Sequence, residues 1–278
     1  MIEIKNISLR FQLSSSVLSD RYITVFDNFS LSLTENKIYG LLGKNGMGKS
    51  SLLYLINGLN ETDKGEIYID GDKVSNHNPS TIGKVFLVPE EIYLPDYTLK
   101  KYLKINAPFY PEFSMEVFNN CMRDFELEET DRLDALSMGQ KKKVYMSFAI
   151  ATNAKYLLMD EPTNGLDIPS KKQFRKVVAQ NMTEDRTFII STHQVHDLEQ
   201  LLDHVIILGE QQLLMDKPVA DIMNEYVFEY RPSNQMDGVI YSEPSFQGNA
   251  VIAPRTGDTA ETQVNLELLF NAVNSGKL

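Results

Sequence analysis

Three short stretches of this chain carry residue types able to handle a nucleotide phosphate. Residues 43 to 50 read Gly-Lys-Asn-Gly-Met-Gly-Lys-Ser, which fits the phosphate-loop pattern of glycine, four residues, glycine, lysine and a hydroxyl residue. Glycines at Gly43, Gly46 and Gly48 let the backbone wrap an anion, and a helix starting there offers unpaired N–H groups to it. In this pattern Lys49 reaches the β- and γ-phosphates and the Ser50 hydroxyl holds Mg²⁺; Asn45 and Ser51 flank the same loop. A second stretch, Tyr156-Leu157-Leu158-Met159-Asp160-Glu161, is an apolar run ending in two acids. Asp160 suits a Mg²⁺ ion that keeps several of its waters. Glu161, one residue further on, is placed to orient and partly deprotonate an attacking water. The third stretch, Leu136-Ser137-Met138-Gly139-Gln140, precedes a helical pattern. A serine cap, a glycine N–H and a helix N-terminus together form an anion site.

These groups need elements to hold them. The apolar run Ile38 to Leu42 predicts a buried strand before the loop, and Leu52, Leu53, Leu55 and Ile56 predict a helix after it that stops near Gly58. Upstream, Ile2, Ile4, Ile7, Leu9 and Phe11 suggest a first strand, Gln12 to Asp20 a polar loop, and Phe29, Leu31 and Leu33 a half-buried strand. Gly65 to Asp70 reads as a strand closed by the hairpin signal Asp70-Gly71, and Val85 to Val88 as a short buried strand ended by Pro89. From Glu91 to Ala135 strand runs give way to helical spacing, with Met115, Phe118, Met122 and Phe125 on one face; with the helix that follows, a helical subdomain spans about 91–150. Strands resume at Tyr156–Met159, Phe188–Ile190 and Val205–Leu208, separated by predicted helices at Lys171–Met182 and Val195–Leu202. This alternation argues for a mostly parallel α/β sheet. Residues 216–278 read as a small accessory domain with strand candidates at Val239–Tyr241 and Ala250–Ala253. It closes on a helix capped by Asn265, with Leu266, Leu269, Phe270 and Val273 on one face and Gly276 at its C-terminal end.

Composition narrows the function. A net charge of −11 argues against general affinity for nucleic acid. The run Lys141 to Lys143 reads as a solvated helix face. No apolar run reaches the roughly 20 residues that span a bilayer, the N-terminus lacks a signal-peptide layout, and the single cysteine, Cys121, fits a reducing compartment. The expectation is a cytoplasmic chain in which Cys121 is a small core or surface residue and not a nucleophile.

The pentapeptide at 136–140 resembles the Leu-Ser-Gly-Gly-Gln signature of ATP-binding cassette (ABC) ATPases, the nucleotide-binding subunits of ABC transporters. The order of phosphate loop, helical insertion, signature and Asp-Glu strand is similar to that family. So are Pro162 to Asp167, which resembles the loop pairing two subunits, and His193, which takes the place of the switch histidine. The resemblance covers residues 1–215. It implies an α/β P-loop NTPase with a RecA-like core, an antiparallel β-subdomain and a helical subdomain, plus the C-terminal extension. Two copies, identical or different, would sandwich two ATPs, each between Gly43–Ser50 of one copy and Ser137, Gly139 and Gln140 of the other, with Asp167 at the pairing loop. Phe11 matches the aromatic that stacks on adenine, with Tyr22 as its rival, and His193 would touch the γ-phosphate. Two departures stand out: Met138 replaces the first signature glycine, and Glu90 replaces a glutamine that approaches Mg²⁺.

The resemblance implies ATP hydrolysis with Mg²⁺, powering a separate membrane permease that docks on the helical insertion near Tyr93, Leu94 and Tyr97. The chain would then lie on the inner face of the membrane. Val-Pro-Glu and Asn-Gly-Leu-Asp lean toward exporters. The alternative is a soluble cassette ATPase acting on ribosomes or DNA, against which stand one cassette per chain, no sustained heptads and the acidic balance. A regulatory subunit without turnover is opposed by Lys49, Asp160, Glu161 and His193. His193 and His196 lack the further ligands that a metal pair needs.

Overall fold

The computed structural model describes residues 1–16, 19–75, 78–127, 132–257 and 260–278. In chain order, β1 (Ile2–Ser16) and β2 (Ser19–Leu33) form a long hairpin, followed by β3 (Ile38–Gly43) and α1 (Lys49–Asn57). Next, β4 (Lys64–Ile69) and β5 (Asp72–Lys73) make a tight hairpin, and α2 (Pro79–Ile82) leads into β6 (Val85–Val88). Helices α3 (Leu99–Asn106), α4 (Met115–Asp124) and α5 (Met138–Ala151) precede β7 (Tyr156–Asp160), α6 (Ile168–Gln180), β8 (Thr187–Thr192) and β9 (His204–Leu208). The last elements are β10 (Leu213–Pro218), α7 (Val219–Glu225), β11 (Tyr226–Arg231), β12 (Tyr241–Ser245), β13 (Gly248–Pro254) and α8 (Leu266–Asn274).

The central sheet runs β10-β9-β3-β8-β7-β6. Its strands are parallel except for β10, which pairs antiparallel with β9 at the edge. Both faces are buried, so the strands read as continuous apolar runs, and the pleat divides them between two cores. Tyr39, Leu41, Leu158, Ile189 and Ile206 join the antiparallel sheet β2-β1-β4-β5 and α1 in one core. Leu42, Leu157, Met159, Phe188, Ile190 and Ile207 face the helices in the other. This α/β sandwich is the P-loop NTPase architecture with its antiparallel and helical parts.

At the hairpin tip, Asp70 and Gly71 both take positive φ, 52° and 85°, as a two-residue type I′ turn demands. The α4 face holds Phe118, Cys121 and Met122, with Phe125 just beyond. Met115 does not join it; at the first position of the helix it is 48% exposed.

Two expected elements differ. Gln12 to Asp20, read as a loop, instead continues the hairpin, with Gln12 opposite Tyr22, Ser14 opposite Arg21 and Ser16 opposite Ser19; residues 17–18 of that stretch lie outside the described residues. Ladder hydrogen bonds are backbone bonds, so a polar ribbon forms without an apolar alternation. Val195–Leu202, read as a helix, is a 3₁₀ turn at Val195–Asp197 followed by further turns. No side chain caps its start, while Leu198 and Leu202 are still buried.

Beyond β10 the three-stranded antiparallel sheet β11-β13-β12 and α8 share the helical-side core: Met215, Ile222, Phe228, Ile252, Leu266 and Leu269 are continuous with Phe174 and Ile190. The boundary at 215/216 falls inside β10. β12 starts at Tyr241, two residues after the expected Val239. In α8 the Asn265 side chain accepts from the Leu268 N–H (2.9 Å), and Gly276 past its end has φ 68°.

Candidate functional site

The phosphate loop connects β3 to α1 at the C-terminal ends of the parallel strands, where open α/β sheets bind ligands. Gly46 (φ 85°) and Gly48 (φ 89°) are both left-handed, and Gly48 sits at the N-cap of α1. The loop opens on a cleft of about 670 Å³ lined by Asn45, Gly46, Gly48, Lys49, Ser50 and Ser51. Glu90, Glu161, Asn164 and His193 face them, and Phe11, Ile23 and Val25 form the outer wall. The structure thus brings together the loop, Phe11, Glu90, Glu161 and His193 from five separate segments. Phe11 is 43% exposed at this wall. Tyr22 does not line the cleft and instead stacks beneath the Arg10 guanidinium.

Inside the cleft the charges converge. Lys49 is 7% exposed; its Nζ donates to the Gly43 carbonyl (2.7 Å) and lies 3.8 Å from Glu161 Oε1. Burial lowers its proton affinity below that of an ordinary lysine, and Glu161, Asp160 and Glu90 work against that. On the other side, His193 Nδ1 is 2.8 Å from Glu161 Oε1, and the His193 backbone N–H donates to Glu161 Oε2 (3.3 Å). Glu161 therefore sits between a lysine and a histidine at the end of β7. Its φ is 44°, a strained value for a side-chain-bearing residue. Its N–H is held by both the carbonyl and the hydroxyl of Ser191 (each 3.1 Å).

Asp160 is fully buried behind Glu161, and Oδ1 accepts from the Ser191 hydroxyl. Glu90 Oε1 accepts from the Asn164 side-chain amide (2.9 Å). Ser50, Asp160 and Glu90 are all oxygen donors, the ligand type Mg²⁺ prefers, so the donor set fits that ion.

Not every expected residue reaches the cleft. Gly43, Ser137, Gly139, Gln140, Asp160 and Asp167 do not line it; Asp160 is buried beneath the cleft, against Ser191. Ser137 and Gln140 form a capping box on α5: Gln140 N–H donates to Ser137 Oγ (3.3 Å) and Ser137 N–H to Gln140 Oε1 (2.9 Å). Met138 is 67% exposed beside them. Asp167 caps α6 by accepting from Ser170 N–H (2.9 Å), and hydrogen bonding from the Ser170 side chain, together with that N–H, holds its carboxyl below the usual range. His193 and His196 serve different elements, since His196 Nε2 pairs with Glu267 on α8.

A family model described as ABC transporter matches residues 26–164. The chain belongs to the ABC transporter ATP-binding family. This cassette is 28% identical over 204 residues to the ABC transporter ATP-binding protein YtrB of Bacillus subtilis (strain 168), covering 73% of this chain and 70% of YtrB. It is 31% identical over 196 residues to the SkfA peptide export ATP-binding protein SkfE of the same strain, covering 68% and 81%. The methionine import ATP-binding protein MetN of Carboxydothermus hydrogenoformans matches at 29%, covering 80% and 67%. Among solved structures, a dimeric ATP-binding cassette in a post-hydrolysis state bound to ADP and Pi superposes with a TM-score of 0.68 at 22% identity, covering 78% of this chain and 98% of that one. The ABC chain is an ATPase by family.

Three residues of the cassette's site escaped the sequence reading. Ser191 is fully buried and ties Asp160 to Glu161; a serine at the end of a buried apolar strand, two residues before His193, was the available signal. Asn164 lies inside the Pro162–Asp167 motif. Lys142 reads from its run of lysines as part of a solvated face, yet it is 8% exposed. Its spacing with Met146 and Ala149 (i, i+4, i+7) places it on the buried stripe of α5.

Proposed function

We propose that this ABC ATPase energises a separate transmembrane permease, from the inner face of the membrane, as an exporter-type subunit. The observation that carries the catalytic part is the carboxylate of Glu161 held between Lys49 and His193 over an open phosphate loop. Lys49 and the loop N–H groups stabilise the negative charge of the β- and γ-phosphates. Glu161 orients the attacking water and accepts its proton. His193 fixes the Glu161 carboxylate and reaches toward the γ-phosphate, and Phe11 stacks on the adenine. Ser50, Asp160 and Glu90 would hold Mg²⁺, which supplies charge neutralisation at the phosphate oxygens.

Ser137, Gly139 and Gln140 lie outside their own chain's cleft, which supports a site completed by a second ATP-binding subunit across the Asp167 loops. Tyr93 is 85% exposed at the start of the helical insertion and is proposed as a permease contact, with Tyr97 beside it; Leu94 packs inward against the core. Among the described residues no helix is long and apolar enough to cross a membrane; that the relatives YtrB and SkfE are named as ATP-binding proteins supports a permease on another polypeptide. The name of SkfE, a peptide export ATP-binding protein, supports the exporter assignment, as do Val88-Pro89-Glu90 and Asn164-Gly165-Leu166-Asp167.

Glu161→Gln keeps the size of the side chain and removes the base. It is expected to abolish steady-state ATP hydrolysis while leaving ATP binding intact, read by phosphate release and by calorimetric titration. Turnover equal to that of the parent would refute the role given to Glu161. Capture of a polytopic membrane protein by the ATP-loaded Glu161→Gln chain would support the transporter assignment; capture of ribosomal or DNA-repair proteins instead would overturn it.

A further inference from the structure

Lys142 lies one turn into α5, buried, with its ammonium aimed at a loop rather than at a carboxylate. Nζ donates to two backbone carbonyls, Asn164 (2.8 Å) and Glu161 (3.1 Å). These carbonyls belong to the ends of one turn, closed by Asn164 N–H on the Glu161 carbonyl (3.1 Å). A desolvated cation is expensive to keep unless its surroundings answer its charge. Here Lys142 shares a cavity of about 250 Å³ with Glu90, Asn164, Met138 and Gly139, and Glu90 is itself bonded to Asn164. The extra negative charge that Glu90 brings thus meets a positive one across a small open pocket. The run neighbours differ: Lys143 reaches Gln173 (2.8 Å) and the Phe125 carbonyl, and Lys141 is half-buried.

We propose that Lys142 is a positioning residue for ATP hydrolysis: its ammonium clamps the Glu161–Asn164 turn and so holds Glu161 in the left-handed conformation that presents its carboxylate between Lys49 and His193. This rests on the assignment of Glu161 as the base. The clamp springs from the same helix that begins at Ser137 and Gly139, so the placement of the carboxylate is tied to the helix that carries the signature. Loss of the clamp frees the turn to relax the strained φ of Glu161 and withdraws the carboxylate from the attacking water. ATP itself binds through the phosphate loop and Phe11, which Lys142 does not touch.

The test compares Lys142→Met, Lys142→Arg, Glu161→Gln and the Lys142→Met/Glu161→Gln double variant of the full chain. Steady-state and single-turnover hydrolysis are measured alongside ATP binding and thermal melting. Lys142→Met should lower kcat by about 10- to 100-fold, as displacement of a catalytic group does, with KM for ATP changed by less than about twofold. Lys142→Arg, which restores a cation and its donors, should recover much of the loss. Because Lys142 acts through Glu161, the double variant should be no slower than Glu161→Gln alone. Unchanged kcat in Lys142→Met overturns the proposal, and so does a double variant whose losses multiply. Normal turnover in Glu161→Gln would instead overturn the assignment of the base, a result read independently of Lys142. If Lys142→Met does not fold, Lys142→Gln carries the same comparison, and equal kcat to the parent in that folded variant again overturns the proposal.

Discussion

Gly46 and Gly48 share a backbone conformation but not an environment, so alanine substitutions separate two physical effects. Their φ values are 85° and 89°, and alanine in the left-handed region costs about 1–2 kcal/mol. At Gly46 a Cβ meets nothing within 4 Å, so Gly46→Ala should lose only that amount. At Gly48 the Cβ would lie 2.6 Å from Val25 Cγ1 and 2.9 Å from Phe26 Cζ. Phe26 is 1% exposed in the antiparallel-sheet core and cannot swing aside freely. Relieving the overlap adds about 1–3 kcal/mol, which brings Gly48→Ala to about 2–5 kcal/mol. At about 3 °C per kcal/mol, Gly46→Ala should melt about 3–6 °C lower than the parent and Gly48→Ala about 6–15 °C lower. The chain has no tryptophan, so far-ultraviolet circular dichroism is the suitable probe. Adding Val25→Ala to Gly48→Ala should return part of the loss, because Val25 makes the nearest contact. Equal melting shifts for the two glycine variants, or no recovery with Val25→Ala, would refute the steric account.

Burial of the Asp70 carboxyl alone would raise its pKa, but hydrogen bonds from the Met1 amine, Tyr156 and Lys155 outweigh that and hold it well below the usual range. A depressed carboxylate contributes stability above its unfolded pKa of about 4 and loses it as pH falls. Asp70→Asn, which tolerates the positive φ of this turn, should therefore destabilise by about 2 kcal/mol at pH 7, with the gap from the parent narrowing below pH 4 in acid titrations of unfolding; a pH-independent gap would contradict this. For Cys121, burial pushes the thiol up to about 12. That contribution is complete below the unfolded thiol's range and lost as pH rises toward 12. The native chain at pH 8 should resist an aromatic disulfide reagent and yield one reactive thiol in guanidinium; rapid native reaction would show that Cys121 is accessible.

The chemistry was legible in the sequence because its motifs are local. A loop of fixed glycine spacing, an apolar strand ending in acids and a histidine after the next strand each needed one element to place them. What escaped depended on the third dimension. Lys142 was hidden by its own type, since a lysine flanked by lysines reads as solvated although its helical spacing is that of Met146 and Ala149. Ser191 matters through Asp160, 31 residues away. The hairpin through Ser16 and Ser19 is built by backbone pairing that leaves no apolar pattern. Val195–Leu202 has helical apolar spacing, yet Leu198 and Leu202 are buried from turns.

The antiparallel strand β10 has a consequence for how the cassette stays dispersed. A parallel strand at the border of a sheet exposes a row of unpaired N–H and C=O groups, a template for pairing with another chain. Here β10 caps that border along β9, from Leu213 opposite Leu208 to Pro218 opposite His204, and it ends in a proline that cannot donate. β10 then carries the border itself, and its short length, Lys217 and terminal Pro218 are features that blunt edge-to-edge pairing; a chain cut at Met215 would leave half of β9 unpaired.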